Sequence, residues 1–452
     1  MLNSKINKSE MLFSNHDLLV LLVPLMIEQV LNSLMGTIDS VMVSNVGSAA
    51  ISAVSLVDSI NVLVIQVFTA LTAGGAIVCS QYLGMKNPKS ANKAARQIVL
   101  TMFVISMALM IVCVSLRAPL LSLIFGNVEA DVMENALVYF LITAISYPFI
   151  GLFYAYAAFF RAEGNSKLPM TISAMCNLAN LAGNTILIFG LGMGVAGAAI
   201  STLISRILMA IVIICRQRLP KQQIVVRDYL KIRPDIKLIM VVLSIGVPSG
   251  IENGMFQFGK LAIQSTVSTL GTAAIAAQAM TAILENLASI ATVGIGIGLM
   301  TIVGRCMGAG MKEQTVYYIK KLTIISEIVM IFSCLLILAL TMPVTMIAGM
   351  EKESADMCFY MMTYIVIVKP IVWVIAFIPA YGLRAAGDVK FSMILSTCSM
   401  WVFRVSLAIY LCRAHGFGPI AVWIGMFADW TFRGILFSIR FHSRKWLEHK
   451  VV

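Results

Sequence analysis

Long apolar stretches alternate with short polar segments along almost the whole chain. Each stretch contains about 20 or more mainly apolar residues, which is the length that a helix needs to cross a bilayer. The pattern therefore predicts an all-α polytopic membrane protein whose polar segments connect the spans. We expect twelve transmembrane helices, at residues 17–41, 50–82, 97–116, 135–160, 168–190, 195–215, 238–263, 274–304, 322–342, 357–383, 391–412 and 418–439.

The first span recurs in the second half of the chain. The stretch Val23–Ala53 has a counterpart at Val247–Ala277, and each copy carries a proline near its start and a glutamate four residues later. The matching positions include Pro24 and Pro248, Glu28 and Glu252, and Gly47 and Gly271. We expect two six-helix bundles, residues 1–215 and 238–452, joined by a solvated cytoplasmic linker at 216–237. Because six spans return the chain to the same side, a pseudo-two-fold axis along the membrane normal should relate the bundles, with the substrate between them.

The composition agrees with a membrane protein. Hydrophobic residues make up 60% of the chain and charged residues only 12%, whereas a soluble domain has about 25% charged residues. The net charge of +12 is spread over short loops, which indicates membrane topology and lipid contact, and no nucleic-acid partner. Lysine and arginine are concentrated at both termini and in alternate loops. By the positive-inside rule, we expect a multi-pass protein of the cell inner (plasma) membrane with both termini in the cytoplasm.

The sequence lacks the motifs of enzymes and of ATP-driven pumps. Its nine cysteines are scattered without a C-x-x-C pair, and its four histidines lie at or beyond the ends of the spans. This distribution favours neither a disulfide framework nor a metal site. Neither G-x-S-x-G nor G-x4-G-K-[ST] occurs, so a serine hydrolase and a nucleotide-driven pump are disfavoured. We expect no enzymatic activity, no bound metal and no cofactor, and an intramembrane enzyme is the least favoured alternative.

Several motifs resemble those of the multidrug and toxic compound extrusion (MATE) family. P-x3-E begins at Pro24, D-S-V-M-V-S-N-V-G begins at Asp39, and N-x3-N-x5-G begins at Asn180. The related turns RAEGNSK and RAAGDVK follow the fourth and tenth spans, and W-x-x-R begins at Trp401. The resemblance covers nearly the whole chain and implies a V-shaped, monomeric exporter of two six-helix bundles. Such an exporter moves organic cations or other amphiphilic small molecules outward in exchange for H+ or Na+, by alternating access.

The resemblance also implies a cation-coupling site in the first bundle. Its members would be Asp39 in the first span, Asn180 and Asn184 in the fifth, and Thr202 in the sixth. Apart from the resemblance, Tyr139 in the fourth span is a further candidate, for hydrogen bonding near Asp39. Many relatives have aspartate at the position of Asn184, so this chain has one carboxylate where they have two. A carboxylate held by two amides suits a proton, although neutral oxygens around it also suit Na+. Our hypothesis is that H+ couples to transport through Asp39.

Four charged residues within the spans are candidates for the substrate cavity, namely Glu28, Glu252, Lys260 and Lys369. Glu28 lies about 11 residues into its span and therefore near the bilayer centre, where an ionised side chain without a partner is strongly disfavoured. We hypothesise that Glu28 and Glu252 face each other across the cavity and attract cationic substrates. The alternative is that they form structural ion pairs with Lys260, Lys369 or Arg206.

Other residues are expected to have structural roles. Asp58 and Glu285 are placed near the beginning of spans two and eight, at the membrane interface. Asp429 precedes Arg433 by four residues, which is the spacing of a helical ion pair. Close helix packing is expected at the glycines of spans two and eight, which are Gly74, Gly75, Gly294, Gly296 and Gly298.

A flippase for lipid-linked oligosaccharides is the alternative within transport. Its cavity would need several arginines and lysines to bind pyrophosphate, and cations within the spans of this chain are few and scattered. A channel is less favoured, because a two-bundle repeat suits alternating access.

Overall fold

The computed structural model describes residues 11–126, 128–220, 222–227, 232–449 and 451. Helices form the regular structure of these ranges, and no strand occurs in them. The α-helices are α1 Asn15–Ser44, α2 Ser48–Gly84, α3 Pro88–Ser115, α4 Arg117–Phe125, α5 Ala130–Ile145, α6 Tyr147–Ala162, α7 Lys167–Asn184, α8 Gly194–Gln217, α9 Ile236–Val267, α10 Thr272–Gly308, α11 Lys312–Ile347, α12 Lys352–Ala385, α13 Val389–Ser399, α14 Ala408–His415 and α15 Ile420–Ser443. Two π-helices, Thr185–Gly190 and Met400–Leu407, and two 3-10 helices, Ser268–Leu270 and Lys445–Glu448, complete the set.

The helices of the described ranges match the predicted spans. Eleven are long and apolar enough to cross a membrane, and twelve spans result if α5 and α6 count as one bent span. These two helices meet at an angle of 43°, inside the span predicted at 135–160. Pro148 lies in the first turn of α6, and its ring and missing N–H prevent a straight helix from continuing through it. The predicted all-α, multi-span architecture is confirmed, whereas the short helix α4 was not predicted.

The predicted fifth and eleventh spans each contain a π-helix. Helix α7 continues directly into Thr185–Gly190, and α13 continues into Met400–Leu407 and then α14. The two spans are equivalent in the sequence repeat. Short π-helices inside α-helices are rare and are often found at functional sites. The apolar pattern of the sequence contains no signal for them, because a π-turn changes only the local backbone hydrogen bonding.

Contacts divide the chain into two compact units. Unit 1 comprises Met1–Gln29 and Ile251–Val452, and unit 2 comprises Val30–Gly250. The boundaries fall inside α1 and α9, so the first part and the second part of each helix belong to different units. The bundles predicted at 1–215 and 238–452 follow the sequence repeat instead, and the predicted linker lies wholly within unit 2.

Glycines allow the first parts of α1 and α9 to pack closely within their units. In unit 1, a Cβ on Gly294 of α10 would lie 2.8 Å from the backbone N and Cα of Met26 in α1. In unit 2, a Cβ on Gly74 of α2 would lie 2.8 Å from the carbonyl oxygen of Val242 in α9. Because backbone atoms are the obstacles, a larger residue at either position forces the helices apart. The packing role predicted for these glycines is confirmed.

The described part of the linker is folded against unit 2. Ile224 and Val226 are fully buried, and the backbone N–H of Val225 donates to the side-chain oxygen of Asn92 in α3 at 2.5 Å. Just before α9, Asp235 forms a 2.6 Å ion pair with Lys93 of α3. The hydrogen bond from the Lys93 ammonium lowers the pKa of Asp235 below its ordinary value. The segment is therefore docked on α3, whereas the sequence suggested a solvated linker.

Candidate cation-coupling and substrate sites

The predicted cation-coupling residues meet around Asp39 in unit 2. Asn184, the last residue of α7, donates from Nδ2 to Asp39 Oδ1 at 2.8 Å. Asn184 is only 1% exposed and Asn180 only 6% exposed, so both amides line a buried side of the Asp39 carboxylate. The interaction joins the second part of α1 to α7.

Asn180 is the second amide at Asp39. When its nitrogen is oriented toward the carboxylate, Nδ2 donates to Asp39 Oδ1 at 3.0 Å and the amide oxygen accepts from the backbone N–H of Thr202 at 3.1 Å. The hydroxyl of the neighbouring Ser201 donates to the backbone carbonyl of Asn180 at 2.8 Å. The predicted residues Asp39, Asn180, Asn184 and Thr202 therefore form one hydrogen-bonded group at α1, α7 and α8.

One oxygen of this group has no hydrogen-bond donor. Asn184 Oδ1 is buried and has no partner among the residues that the structure describes. A buried amide oxygen without a donor is unfavourable, and carboxylate and amide oxygens are the ligands that hard cations prefer. The Asp39 carboxylate can therefore bind a proton. Alternatively, Asp39 and the Asn184 amide oxygen can together bind a small cation.

Asp58 of α2 supplies a second carboxylate in unit 2. Its Oδ1 accepts from the hydroxyl of Tyr139 in α5 at 3.3 Å and from Nδ2 of Asn61 at 3.1 Å. Tyr147 of α6 donates to Asn61 Oδ1 at 2.8 Å. The network thus connects α2, α5 and α6. Tyr139, predicted to hydrogen-bond near Asp39, bonds directly to Asp58.

Asp58 is close enough to act on the coupling site. The charges of Asp58 and Arg206 both lie within electrostatic range of Asp39, and Arg206 donates to the hydroxyl of Ser146 at 2.7 Å. The sequence placed Asp58 at the membrane interface, because its position along the chain does not show that α2 and α5 bring it toward Asp39. Through its hydrogen bond with Tyr139, Asp58 joins one of the predicted residues of the site.

Glu28 and Glu252 both belong to unit 1. Glu28 is only 3% exposed. Glu252 in α9 forms a 3.1 Å ion pair with Arg384 at the end of α12. Arg384 lies in the turn RAAGDVK that follows the tenth predicted span. The attraction of cationic substrates by Glu28 and Glu252 stays a hypothesis, and the charge of Glu252 is already balanced.

Lys369, another candidate for the substrate cavity, has no solvent exposure and is paired inside unit 1. Its Nζ contacts the carboxylate of Glu285 in α10 and donates to the backbone carbonyl of Glu285 at 2.7 Å. The rings of Trp373 and Trp430 lie within cation–π distance of Nζ. Glu285 is therefore the partner of a buried lysine, whereas the sequence placed it at the membrane interface.

A second buried ion pair confirms a prediction from spacing. Arg433 Nε donates to Asp429 Oδ1 at 2.7 Å, and both side chains are almost fully buried. Ser399 in α13 also donates to Asp429 Oδ1, at 2.5 Å. The pair has the structural role expected for residues four positions apart on α15.

Lys260, the remaining candidate for the substrate cavity, is exposed on α9. Its Nζ lies 4.8 Å from the ring centre of Phe256. Glu252, on the same helix, pairs with Arg384 instead of Lys260. No group of three or more metal-ligating side chains occurs in the described ranges.

Comparison with known proteins identifies the family of this chain. The family model MatE matches residues 24–186 and again residues 248–410, once in each half of the sequence repeat. The chain is 28% identical over 443 residues to the uncharacterized transporter YisQ of Bacillus subtilis, covering 94% of this chain and 93% of that protein. It is 25% identical over 441 residues to the probable multidrug resistance protein NorM of Thermotoga maritima, covering 96% and 94%.

The fold is similar to those of solved transporters. A MOP superfamily transporter from Pyrococcus furiosus superposes with a TM-score of 0.87 at 17% sequence identity, over 96% of both chains. The two matches of the family model span most of the chain, and the helices provide the multi-pass architecture that the family requires. The protein is a multi-pass membrane transporter and belongs to the MatE family.

Proposed function

We propose that the protein is a secondary active antiporter that exports amphiphilic drugs, organic cations included, and that a proton at Asp39 couples to their movement. The observation that carries the proposal is the arrangement of Asp39, which accepts hydrogen bonds from the buried amides of Asn180 and Asn184. The relative from Thermotoga maritima is named a probable multidrug resistance protein, which supports the same substrate class.

The single carboxylate at this position favours H+ over Na+. Two amide donors stabilise the ionised carboxylate, and protonation removes its charge and weakens these hydrogen bonds. Binding and release of the proton therefore change how tightly the second part of α1 is held to α7. A change in this contact between helices can shift the equilibrium between the inward-facing and outward-facing states of alternating access. Na+ shared between Asp39 and Asn184 Oδ1 is the competing choice of ion.

We also propose that the protein works as a monomer in the plasma membrane. Both of its termini lie in the cytoplasm, because the basic loops alternate along the sequence. It needs no cofactor besides the coupling ion and catalyses no chemical reaction.

The test is drug efflux from proteoliposomes with a pH gradient and a Na+ gradient imposed separately. We expect the pH gradient to drive transport and Asp39→Asn to abolish that transport, while substrate still binds to the purified variant. Asp131→Asn is the matched control, because it removes an exposed carboxylate of the same unit and should leave transport unchanged. Unaltered exchange in Asp39→Asn would show that the coupling ion binds elsewhere.

A further inference from the structure

Three carboxylates of unit 1 are already neutralised by ion pairs. In unit 1, Glu252 pairs with Arg384, Glu285 with Lys369, and Asp429 with Arg433. Each of these acids therefore has a cation of its own. Any lysine or arginine of unit 1 that has no carboxylate partner therefore carries an unbalanced positive charge.

Lys260 and Arg404 are two cations of this kind. Neither forms an ion pair or a hydrogen bond with any residue in the described part of the chain, and Arg404 is only 6% exposed. Its Nε and Nη1 atoms are buried without an acceptor. A buried guanidinium with unsatisfied donors is strongly unfavourable unless another group supplies the acceptors.

The local backbone places both cations on one aromatic ring. Arg404 belongs to the π-helix Met400–Leu407, and its guanidinium carbon lies 4.6 Å from the ring centre of Phe256 in α9. Lys260 Nζ lies 4.8 Å from the same centre. Gly259 allows the close approach, since a Cβ there would meet Met400 Cε at 2.6 Å. The glycine and the π-helix together bring Arg404 next to Phe256 and Lys260.

An oxyanion satisfies this pair best. Arginine presents parallel N–H donors that match the two oxygens of a carboxylate or phosphate, and lysine adds a mobile point charge. Asp429 and Glu285 act on Arg404 from a distance, but both are engaged by Arg433 and Lys369. Lys260 is therefore open to an anion that arrives from outside the protein, and the guanidinium of Arg404 lies against the same ring.

We propose that Lys260 and Arg404 bind the carboxylate of an amphiphilic substrate, with Phe256 contacting its apolar body. The proposal rests on the exporter function above and specifies its substrate class as amphiphiles that carry a carboxylate, including zwitterions. A lipid phosphate has the same oxyanion chemistry, and the experiment separates the two sources.

The experiment measures equilibrium binding to the purified full-length protein in maltoside detergent. The probes are a fluoroquinolone, which has a free carboxylate, and its methyl ester, which lacks that charge. The variants are Lys260→Gln, Arg404→Gln and the charge-retaining Lys260→Arg. Arg444→Gln is the control, because it removes a cation of the same unit that pairs with Glu313 on the surface.

We expect Lys260→Gln and Arg404→Gln to weaken binding of the acid by about tenfold, the effect of losing one hydrogen bond to a charged group. Binding of the ester should not change, and Lys260→Arg and Arg444→Gln should resemble the wild type. Equal weakening of acid and ester, or no weakening of either, would overturn the proposal. Lys260 is exposed, so Lys260→Gln decides the question even if Arg404→Gln does not fold.

Two further results separate this proposal from its alternatives. If Lys260→Gln reduces binding of a fluorescent lysophosphatidylglycerol but not of the fluoroquinolone, the site takes a lipid phosphate and the substrate assignment is wrong. Binding in detergent requires no ion gradient. A failure of gradient-driven transport in proteoliposomes would therefore reject the antiport function without affecting the charge discrimination measured here.

Discussion

Tyr139 donates its hydroxyl hydrogen to Asp58 at 3.3 Å and thereby ties α5 to α2. Asp58 lies within electrostatic range of Asp39. Position 184 is an asparagine in this chain, and the second acid of the region comes from α2. Two carboxylates in one region influence each other's protonation, because ionisation of one disfavours ionisation of the other. Asp58 is therefore a candidate to tune the coupling ion at Asp39.

Asp58→Asn should move the pH midpoint of H+-driven transport to lower pH. The substitution keeps the size of the side chain but removes a negative charge that opposes ionisation of Asp39, so Asp39 releases its proton more readily. We expect a displacement of about half a pH unit for charges that are near each other but not in contact. The measurement is transport rate against pH in proteoliposomes. Asp58→Glu, which keeps the charge, should retain the wild-type midpoint, and an identical profile for Asp58→Asn would rule out the coupling.

Asn184→Asp should give the transporter a response to Na+. The new carboxylate would lie where Asn184 now contacts Asp39 at 2.8 Å, and two adjacent acids bind a small cation better than one. One more charge at about 4 Å contributes about 1 kcal/mol even in water, so Na+-driven drug efflux from proteoliposomes should rise about fivefold. Asn177→Asp adds a charge elsewhere on α7 and serves as the control. Failure of Asn184→Asp to respond to Na+ would contradict the predicted role of this position.

The sequence was a good guide wherever residues are related by spacing along one helix. The apolar runs predicted the spans, and the four-residue interval predicted the pair of Asp429 and Arg433. The group of Asp39, Asn180, Asn184 and Thr202 followed from the family resemblance. These features depend on helix length, on helix periodicity or on motifs, and all three are visible in a single chain.

The sequence did not predict the contacts that depend on which helices pack against each other. Nothing in the spacing brings Asp58 to Tyr139, Glu285 to Lys369, or Glu252 to Arg384, because each pair comes from two helices distant in sequence. The π-helices and the division of α1 and α9 between the two units likewise depend on packing. Identifying Arg404 as a site residue required knowing that its donors are buried without acceptors.

Lys369→Met should destabilise the protein strongly. The substitution leaves Glu285 without the cation that balances it and removes the hydrogen bond to the Glu285 carbonyl. Breaking a buried ion pair by removing one partner lowers the free energy of unfolding by about 3–5 kcal/mol. The measurement is the apparent melting temperature in detergent. The double variant Lys369→Met with Glu285→Gln should recover most of the loss, because no unbalanced charge remains. A melting temperature equal to that of the wild type would show that the pair is not structural.

Gly294→Ala should destabilise unit 1, and Gly254→Ala should not. Both glycines lie inside helices, where alanine is intrinsically favoured by about 1 kcal/mol. At Gly294, however, the new methyl group would lie 2.8 Å from backbone atoms of Met26, so α1 and α10 must separate. Overpacking of this kind lowers the free energy of unfolding by about 1–3 kcal/mol. At Gly254 no atom lies within 4 Å of the added Cβ, so the intrinsic preference should appear as a small gain. The measurement is the apparent melting temperature of each variant in detergent. Equal changes in the two variants would mean that the contact of α1 with α10 does not hold the helices together.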